Sequence, residues 1–128
     1  MKIEYIHHIA IICSDYEKSK HFYTAILGLQ IINEVFREER SSYKLDLAIN
    51  GEYVIELFSF PDPPPRISKP EAQGLRHLAF AVEDIDVAKK DLEKQGVLVE
   101  DIRIDEVTGK RYTFFADPDG LPLELYEL

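Results

Sequence analysis

Short apolar runs alternate with one-sided helical patterns along this chain. Residues 6–13 are almost all apolar and rich in β-branched side chains, which predicts a strand. Ser14-Asp15 then offers a helix N-cap, and Gly28 stands where a helix would end. Between them, apolar residues recur on one helical face at Phe22, Tyr23, Ile26 and Leu27. Strands are predicted at 30–36, 43–49 and 53–60, with a hairpin turn at Asn50-Gly51.

The second half of the chain follows the same plan. A strand is predicted at 77–82, and Asp84 is expected to cap a helix that ends at Gly96. The apolar stripe of that helix is predicted to be Val87, Ala88 and Leu92. Further strands are predicted at 97–104, 111–116 and 121–127, the last after the turn Asp117-Pro-Asp-Gly120.

Each half therefore has the order βαβββ, and the predicted fold class is α+β with two tandem modules. The first module covers about residues 5–60 and the second about 74–128. A proline-rich connector, 61–73, lies between them and is unsuited to a helix or a central strand. The length fits one domain, 1–128.

One His and one Glu recur at matching positions of the two halves. The segment that begins at His8 returns at His77, and the one that begins at Glu56 returns at Glu124, offsets of 69 and 68 residues. A pseudo-two-fold axis would bring two imidazoles and two carboxylates together. With no thiolate among them, these ligands suit Zn, Ni, Fe(II), Co or Mn.

Strand alternation separates these side chains from the predicted core. His8 shares a face with Ala10 and Ile12, while Cys13 lies on the opposite face, towards the helix, as buried filler. A lone Glu in an apolar strand has plainer interpretations: an edge strand that leaves it in water, or a buried Arg partner. A lone strand His is often a satisfied core residue. Recurrence of all four in register favours a metal site.

The remaining polar residues point to no site by themselves. His7 is predicted to point away from His8, and His21 to lie on a helix surface. Several scattered cations could contact an anionic substrate, with none singled out: Arg66, Lys69, Arg76, Lys110 and Arg111.

Composition narrows the classes of partner. A net charge of −9 argues against nucleic acid or an anionic membrane, although it says little about a small substrate. No apolar run approaches the roughly 20 residues of a membrane span. A single cysteine excludes an internal disulfide and, with no signal peptide, is expected of a cytoplasmic protein.

Four segments together resemble the vicinal oxygen chelate superfamily, which contains glyoxalase I, epimerases, extradiol dioxygenases and antibiotic-resistance proteins. They are His8-Ile-Ala-Ile-Ile, the Phe22-Tyr23-Thr-Ala-Ile-Leu-Gly28 helix end, the Asp117-Pro-Asp-Gly120 turn and Glu124-Leu-Tyr126. The resemblance covers the whole chain. It implies sheets that form a cup around one divalent metal ion per site, a homodimer, and metal ligands at His8, Glu56, His77 and Glu124.

Within that superfamily the ligand order looks most like bacterial glyoxalase I and a glyoxalase-like bacterial subfamily. Ile12 stands where glyoxalase I has an arginine that contacts glutathione, so this chain departs from the glutathione-binding pattern. The resemblance implies a metal-dependent lyase or isomerase that acts on a small oxygenated carbonyl compound, such as a hemithioacetal, through a metal-stabilised enediolate. Either Glu56 or Glu124 would be the base. Alternatives are a CoA-thioester epimerase, an extradiol-type dioxygenase, or a non-catalytic metal- or drug-binding protein.

Overall fold

Each half of the chain forms its own mixed sheet. The computed structural model describes residues 1–128, which divide into two compact units, Met1–Pro65 and Arg66–Leu128. Each unit contains one four-stranded sheet and one α-helix. The predicted α+β class, with the order βαβββ in each half, is confirmed.

The first unit places its first and last strands side by side. Its sheet has the order β1-β4-β3-β2, in which β1 is parallel to β4 and the other pairs are antiparallel. The Asp15 side chain accepts the Lys18 N–H at 3.1 Å and caps the helix as predicted. The elements are β1 (Ile9–Cys13), α1 (Tyr16–His21), a π-helical turn (Phe22–Ile26), β2 (Gln30–Arg37), a 3₁₀ turn (Glu38–Arg40), β3 (Ser42–Ile49) and β4 (Glu52–Ser59).

The second unit repeats this topology. Its sheet has the order β5-β8-β7-β6, again with the first and last strands parallel. Asp84 accepts the Val87 N–H at 3.0 Å and caps the second helix. The elements are β5 (Leu78–Val82), α2 (Ile85–Lys94), β6 (Arg103–Ile104), β7 (Arg111–Ala116) and β8 (Pro122–Glu127).

The predicted alternation of faces is present in the first unit. On β1, Ile11 and Cys13 are buried, whereas Ala10 and Ile12 are exposed. The β3–β4 hairpin adds the fully buried side chains of the core, and its Asn50-Gly51 turn has positive φ at both residues, as a type I′ turn requires. The face of β1 that carries Ala10 and Ile12 therefore lies outside the core and can contribute to a binding or catalytic site. No helix in the structure is long or apolar enough to cross a membrane.

Two local predictions were wrong. Val87 is 63% exposed, and the buried positions of α2 are Ile85 and Leu92, seven residues apart. Of the predicted strand 97–104, only β6 pairs with a neighbouring strand. The preceding residues make one backbone hydrogen bond to β7, from the Glu100 N–H to the Phe114 carbonyl at 2.9 Å, and the Lys89 ammonium donates to the carbonyl oxygens of Val99 and Glu100, at 3.3 and 2.7 Å.

Candidate metal centre

The first unit brings His8 and Glu56 together. Parallel pairing of β1 with β4 sets Ala10 opposite Glu56, and His8 lies two residues before that alanine, on the same face. As a result, His8 Nε2 is 3.8 Å from Glu56 Oε1. The Glu56 side chain is 16% exposed. Because β4 is an interior strand, the interpretation of Glu56 as an edge residue in water is wrong.

The second unit brings His77 and Glu124 together through the same register. Ala79 is opposite Glu124 in the parallel β5–β8 pair, and His77 lies two residues before it. His77 Nε2 is 2.9 Å from Glu124 Oε2, and the Glu124 side chain is 12% exposed. The four predicted ligands thus form two His–Glu pairs, one in each unit. The structure contains no group of three or more His, Cys, Asp or Glu side chains that could hold a metal ion.

The donor atoms of both pairs suit a divalent cation. In each pair an imidazole Nε2 faces one carboxylate oxygen, and nitrogen and oxygen donors of this kind bind Zn, Ni, Fe(II), Co and Mn. His77 Nδ1 is buried and has no hydrogen-bond partner, so Nε2 is the ring nitrogen engaged with Glu124. In both units the carboxylate is on an interior strand, whereas the imidazole lies just before the neighbouring edge strand.

A polar network surrounds Glu56 on its other side. The Tyr53 hydroxyl lies 2.8 Å from Asp46 Oδ1 and 3.0 Å from Glu56 Oε2, so it can donate its proton to either carboxylate. The Lys44 ammonium donates to both Asp46 oxygens, at 2.7 and 2.9 Å, and lies 3.3 Å from Glu56 Oε2. One oxygen of Glu56 therefore faces His8, while the other is held by Tyr53 and Lys44.

Both groups that hold Glu56 keep their protons. Burial, followed by the hydrogen bonds to Asp46 and Glu56, raises the pKa of the Tyr53 hydroxyl far above its ordinary value. The hydrogen bond to Asp46 is the largest cause that raises the pKa of the Lys44 ammonium. Tyr53 therefore acts as a hydrogen-bond donor and Lys44 as a fixed positive charge.

Glu124 has different surroundings. The residue opposite it on β7 is Phe114, where the first unit has Asp46. The Phe114 ring contacts His77 edge-on, with 5.1 Å between centroids. His77 is the sole hydrogen-bond or ion-pair partner of the Glu124 carboxylate. This half of the candidate site is therefore aromatic and leaves one carboxylate oxygen free.

Sequence analysis missed Lys44, Asp46 and Tyr53 as site residues. The available signal was a pair of charged residues, Lys44 and Asp46, two apart among apolar neighbours, which places both on one face of β3.

The predicted orientation of His7 needs a correction, because its Nδ1 lies 2.8 Å from His8 Nδ1. Cys13 is buried as predicted.

Comparison with known proteins gives one consistent result. Residues 5–125 match the family described as Glyoxalase/Bleomycin resistance protein/Dioxygenase superfamily. The chain is 66% identical to the uncharacterized protein YwkD of Bacillus subtilis (strain 168), over 99% of both chains. It is 63% identical to the uncharacterized protein YaeR of Escherichia coli (strain K12), over 98% of this chain and 97% of that one. The crystal structure of a glyoxalase family protein from Enterococcus faecalis matches with a TM-score of 0.91 and 47% identity, covering 99% of this chain and all of the other.

Two more distant relatives carry named activities. The 2-epi-5-epi-valiolone epimerase of Actinomyces sp is 29% identical over 96% of this chain and 79% of its own length. Glyoxylase I 4 of Arabidopsis thaliana is 28% identical over 94% of this chain and 68% of its own length.

Proposed function

The chain belongs to the Glyoxalase/Bleomycin resistance protein/Dioxygenase superfamily, and we propose that it is a divalent-metal-dependent lyase or isomerase of glyoxalase type. Its substrate would be a small oxygenated carbonyl compound. The observation that carries the proposal is the repeated pair: each unit sets a His Nε2 against a Glu oxygen through the same strand register. One isolated pair has a structural explanation as an ion pair, whereas two pairs in register would supply the four ligands of one ion.

His8, Glu56, His77 and Glu124 would hold the ion. A bound divalent cation supplies Lewis acidity, which polarises a carbonyl oxygen and makes a proton on the neighbouring carbon easier to remove. The two carboxylates balance the charge of the cation. Because the four ligands come from two units, the ion is shared within one chain or between two copies of it, and we expect a homodimer.

We assign the base to Glu124 because of its contacts. Proton transfer next to a carbonyl needs a carboxylate with a free oxygen within reach of the substrate. Glu56 is unsuited to this role, since Tyr53 and Lys44 already hold its second oxygen. Glu124 has a single partner, His77, and the residue opposite it on β7 is the apolar Phe114. Glu56 would therefore be the fixed ligand, and Glu124 would take the proton and return it.

Metal content of the purified protein tests the proposal. Wild type is expected to hold metal in a fixed ratio to protein, and Glu56→Ala and Glu124→Ala are each expected to lose it, because a ligand is removed from the ion. Glu52→Ala is the matched control, since Glu52 is an exposed residue on the same strand as Glu56. Wild type that takes up no Zn, Ni, Co, Mn or Fe(II) after chelation and reloading would contradict the proposal.

Activity is the second measurement. The metal-loaded protein should isomerise the hemithioacetal that methylglyoxal forms with a low-molecular-weight thiol, with glutathione as one of the thiols assayed.

Light scattering on the same sample measures the molar mass, for which we expect twice that of the chain.

A second candidate is an epimerase. One relative at 29% identity is an epimerase by name, and epimerisation also begins with the removal of a proton next to a carbonyl. The two candidates differ in where the proton returns. Metal-loaded protein that exchanges a substrate C–H for deuterium and inverts the carbon, with no activity towards hemithioacetals, would favour the epimerase.

A further inference from the structure

The second unit contains a cavity beside the His77–Glu124 pair. Its volume is about 650 Å³, which is in the range of small-molecule sites. The exposed segment 66–76 forms one wall, and the aromatic residues Phe114 and Phe115 of β7 form another. His77 itself lines the cavity. A molecule bound there would touch one of the proposed metal ligands.

The cavity is positively charged in a strongly acidic protein. The chain as a whole carries a net charge of −9. Two acidic residues line the cavity, Glu71 and Glu100, against four basic residues: Arg66, Lys69, Arg76 and Arg103. A local excess of two positive charges on this background attracts anions to the cavity and concentrates them there.

Two of the four cations have acidic partners. Arg76 lies 3.7 Å from Glu71, and Arg103 lies 2.8 Å from Glu100. Arg103 also extends over the Phe114 ring, with its guanidinium carbon 5.6 Å from the ring centre, and that ring contacts His77. A continuous surface therefore leads from the basic residues to the proposed metal ligand.

The other two cations have no counter-charge. Arg66 is oriented by neutral acceptors: its Nε donates to Ser68 Oγ at 2.8 Å, and its Nη2 donates to the Leu75 carbonyl at 3.4 Å. Ser68 Oγ in turn donates to the Gly120 carbonyl at 3.3 Å. Lys69 has no hydrogen-bond or ion-pair partner. A guanidinium held in place without a carboxylate, and a free ammonium that lines the same cavity, match the needs of a carboxylate or phosphate group.

We propose that this cavity binds an oxyanion, a carboxylate or a phosphate, with Arg66 and Lys69 as its main ligands. The inference rests on the proposed function in one respect: the oxyanion belongs to the carbonyl substrate whose other end meets His77 and Glu124. The substrate class is therefore a small carbonyl compound with an anionic group. The Phe114 ring would support the carbon skeleton between the two ends.

Direct titration of the full-length, chelator-treated protein tests the cavity without any metal. Inorganic phosphate is one probe and acetate the other, and the heat of binding is measured by calorimetry at low ionic strength. We expect saturable binding of at least one probe. The double variant Arg66→Gln/Lys69→Gln should bind it at least about tenfold more weakly, since hydrogen bonds to charged groups are among the stronger ones. Whichever probe binds more tightly identifies the oxyanion as phosphate or carboxylate.

The matched control removes the same amount of charge elsewhere. Lys90→Gln/Lys94→Gln changes two exposed lysines of α2 that lie outside the cavity and should bind within twofold of wild type. Equal loss in both double variants would overturn the proposal, because the effect would then come from net charge. Absence of binding by wild type to both probes at concentrations up to about 10 mM, ten times a dissociation constant of about 1 mM, would overturn it as well.

The two proposals fail in different ways. A protein that binds phosphate or acetate through Arg66 and Lys69 but takes up no metal would leave the cavity assigned and contradict the proposed enzyme. A protein that holds metal through Glu56 and Glu124 but binds neither probe would keep the enzyme and contradict the anionic substrate.

Discussion

The two His–Glu pairs share a backbone register but differ in what surrounds them. In both units a parallel pair of strands sets the glutamate opposite an alanine, two residues after the histidine. The residue on the next strand differs: Asp46 lies opposite Glu56, whereas Phe114 lies opposite Glu124. The repeated fold therefore places equivalent glutamates, and the neighbouring side chains, Lys44 and Tyr53 in the first unit, decide whether the carboxylate is tethered or free.

This difference assigns separate roles to chemically identical side chains. Glu56 is held from behind by Tyr53 and Lys44, as a permanent ligand should be. Glu124 has one partner and an aromatic neighbour, as a carboxylate that moves a proton should have. The predictions below test that comparison.

The largest expected effect is on the rate of proton exchange, when one of the two glutamates is replaced by glutamine, which carries no charge. Gln keeps the shape and an oxygen ligand but cannot accept a proton at that oxygen. At saturating metal, we expect Glu124→Gln to slow exchange of the substrate C–H with deuterated water by about 10²–10⁴-fold, the usual contribution of a general base. Glu56→Gln should instead weaken metal affinity and slow exchange by less than about tenfold. NMR of the substrate measures the exchange, and equal losses in the two variants would contradict the assignment.

The second largest expected effect is on metal affinity, when the Tyr53 hydroxyl that contacts Glu56 is removed. Tyr53→Phe removes one hydroxyl and leaves the ring, so Glu56 loses a hydrogen-bond donor. We expect metal affinity to fall about 10–100-fold, as for other residues that orient metal ligands. Competition with a chromophoric chelator measures it.

Tyr112→Phe is the control for that variant. Tyr112 lies on β7 of the second unit, and its ring, rather than its hydroxyl, makes its contact with Arg103. Its metal affinity should stay within twofold of wild type. A Tyr53→Phe variant with unchanged affinity would show that the polar network does not support the ligand.

The sequence predicts the repeated positions of the two His–Glu pairs, but it does not predict the different surroundings of the two glutamates. The positions of His8, Glu56, His77 and Glu124 follow from duplicated strand patterns, because residues at equal places in equal modules reach equal places in the fold. The partners of Glu56 depend on which β3 residue lies opposite it, and the β3–β4 register shifts between Leu47 and Ala48. No sequence pattern predicts that shift.

The charged cavity and the incomplete strand were out of reach for a related reason. Arg66 and Lys69 are far from Arg103 in sequence, and they line the same cavity because of the path of the 66–76 segment. In the same way, 97–104 has the composition of a strand, but a lysine of α2 donates to the carbonyls of Val99 and Glu100, and one backbone bond joins Glu100 to β7. Long-range contacts decided both cases.

A third prediction measures what the polar network contributes to stability. Asp46 is 7% exposed and accepts two hydrogen bonds from Lys44, and it shares the Tyr53 hydroxyl with Glu56. Asp46→Asn leaves Glu56, at 3.3 Å, as the counter-charge of the ammonium, and the loss of the Asp46 charge should lower the free energy of unfolding by about 1–3 kcal/mol. Urea unfolding followed by circular dichroism measures the change.

The equivalent position in the second unit is the control for Asp46→Asn. Phe114→Leu alters packing without removing any charge or hydrogen bond, so it should cost less than about 1.5 kcal/mol. Asp46→Asn that is as stable as wild type would mean that the charges near Glu56 are retained for function alone.

The smallest expected effect is on the free energy of unfolding, and it comes from one ion-paired glutamate in each unit. In the first unit Glu34 of β2 accepts hydrogen bonds from Lys20 at 2.7 Å and from Tyr16, and these bonds lower the pKa of its carboxyl, Lys20 contributing most. A carboxyl whose pKa is lower folded than unfolded stabilises the fold above its unfolded pKa of about 4.3 and loses that contribution as pH falls through the folded value. Since the pair is partly exposed, Glu34→Gln should cost only about 0.2–1 kcal/mol at pH 7, and the cost should shrink as pH falls below about 4.3. Urea unfolding of both proteins from pH 7 to pH 3 checks this, and a cost that grew towards acid would mean that Lys20 and Tyr16 do not favour the ionised carboxylate.

In the second unit Arg111 lowers the pKa of Glu127 in the same way, so Glu127→Gln should follow the same acid dependence even though its partner is an arginine of the sheet rather than a lysine of the helix.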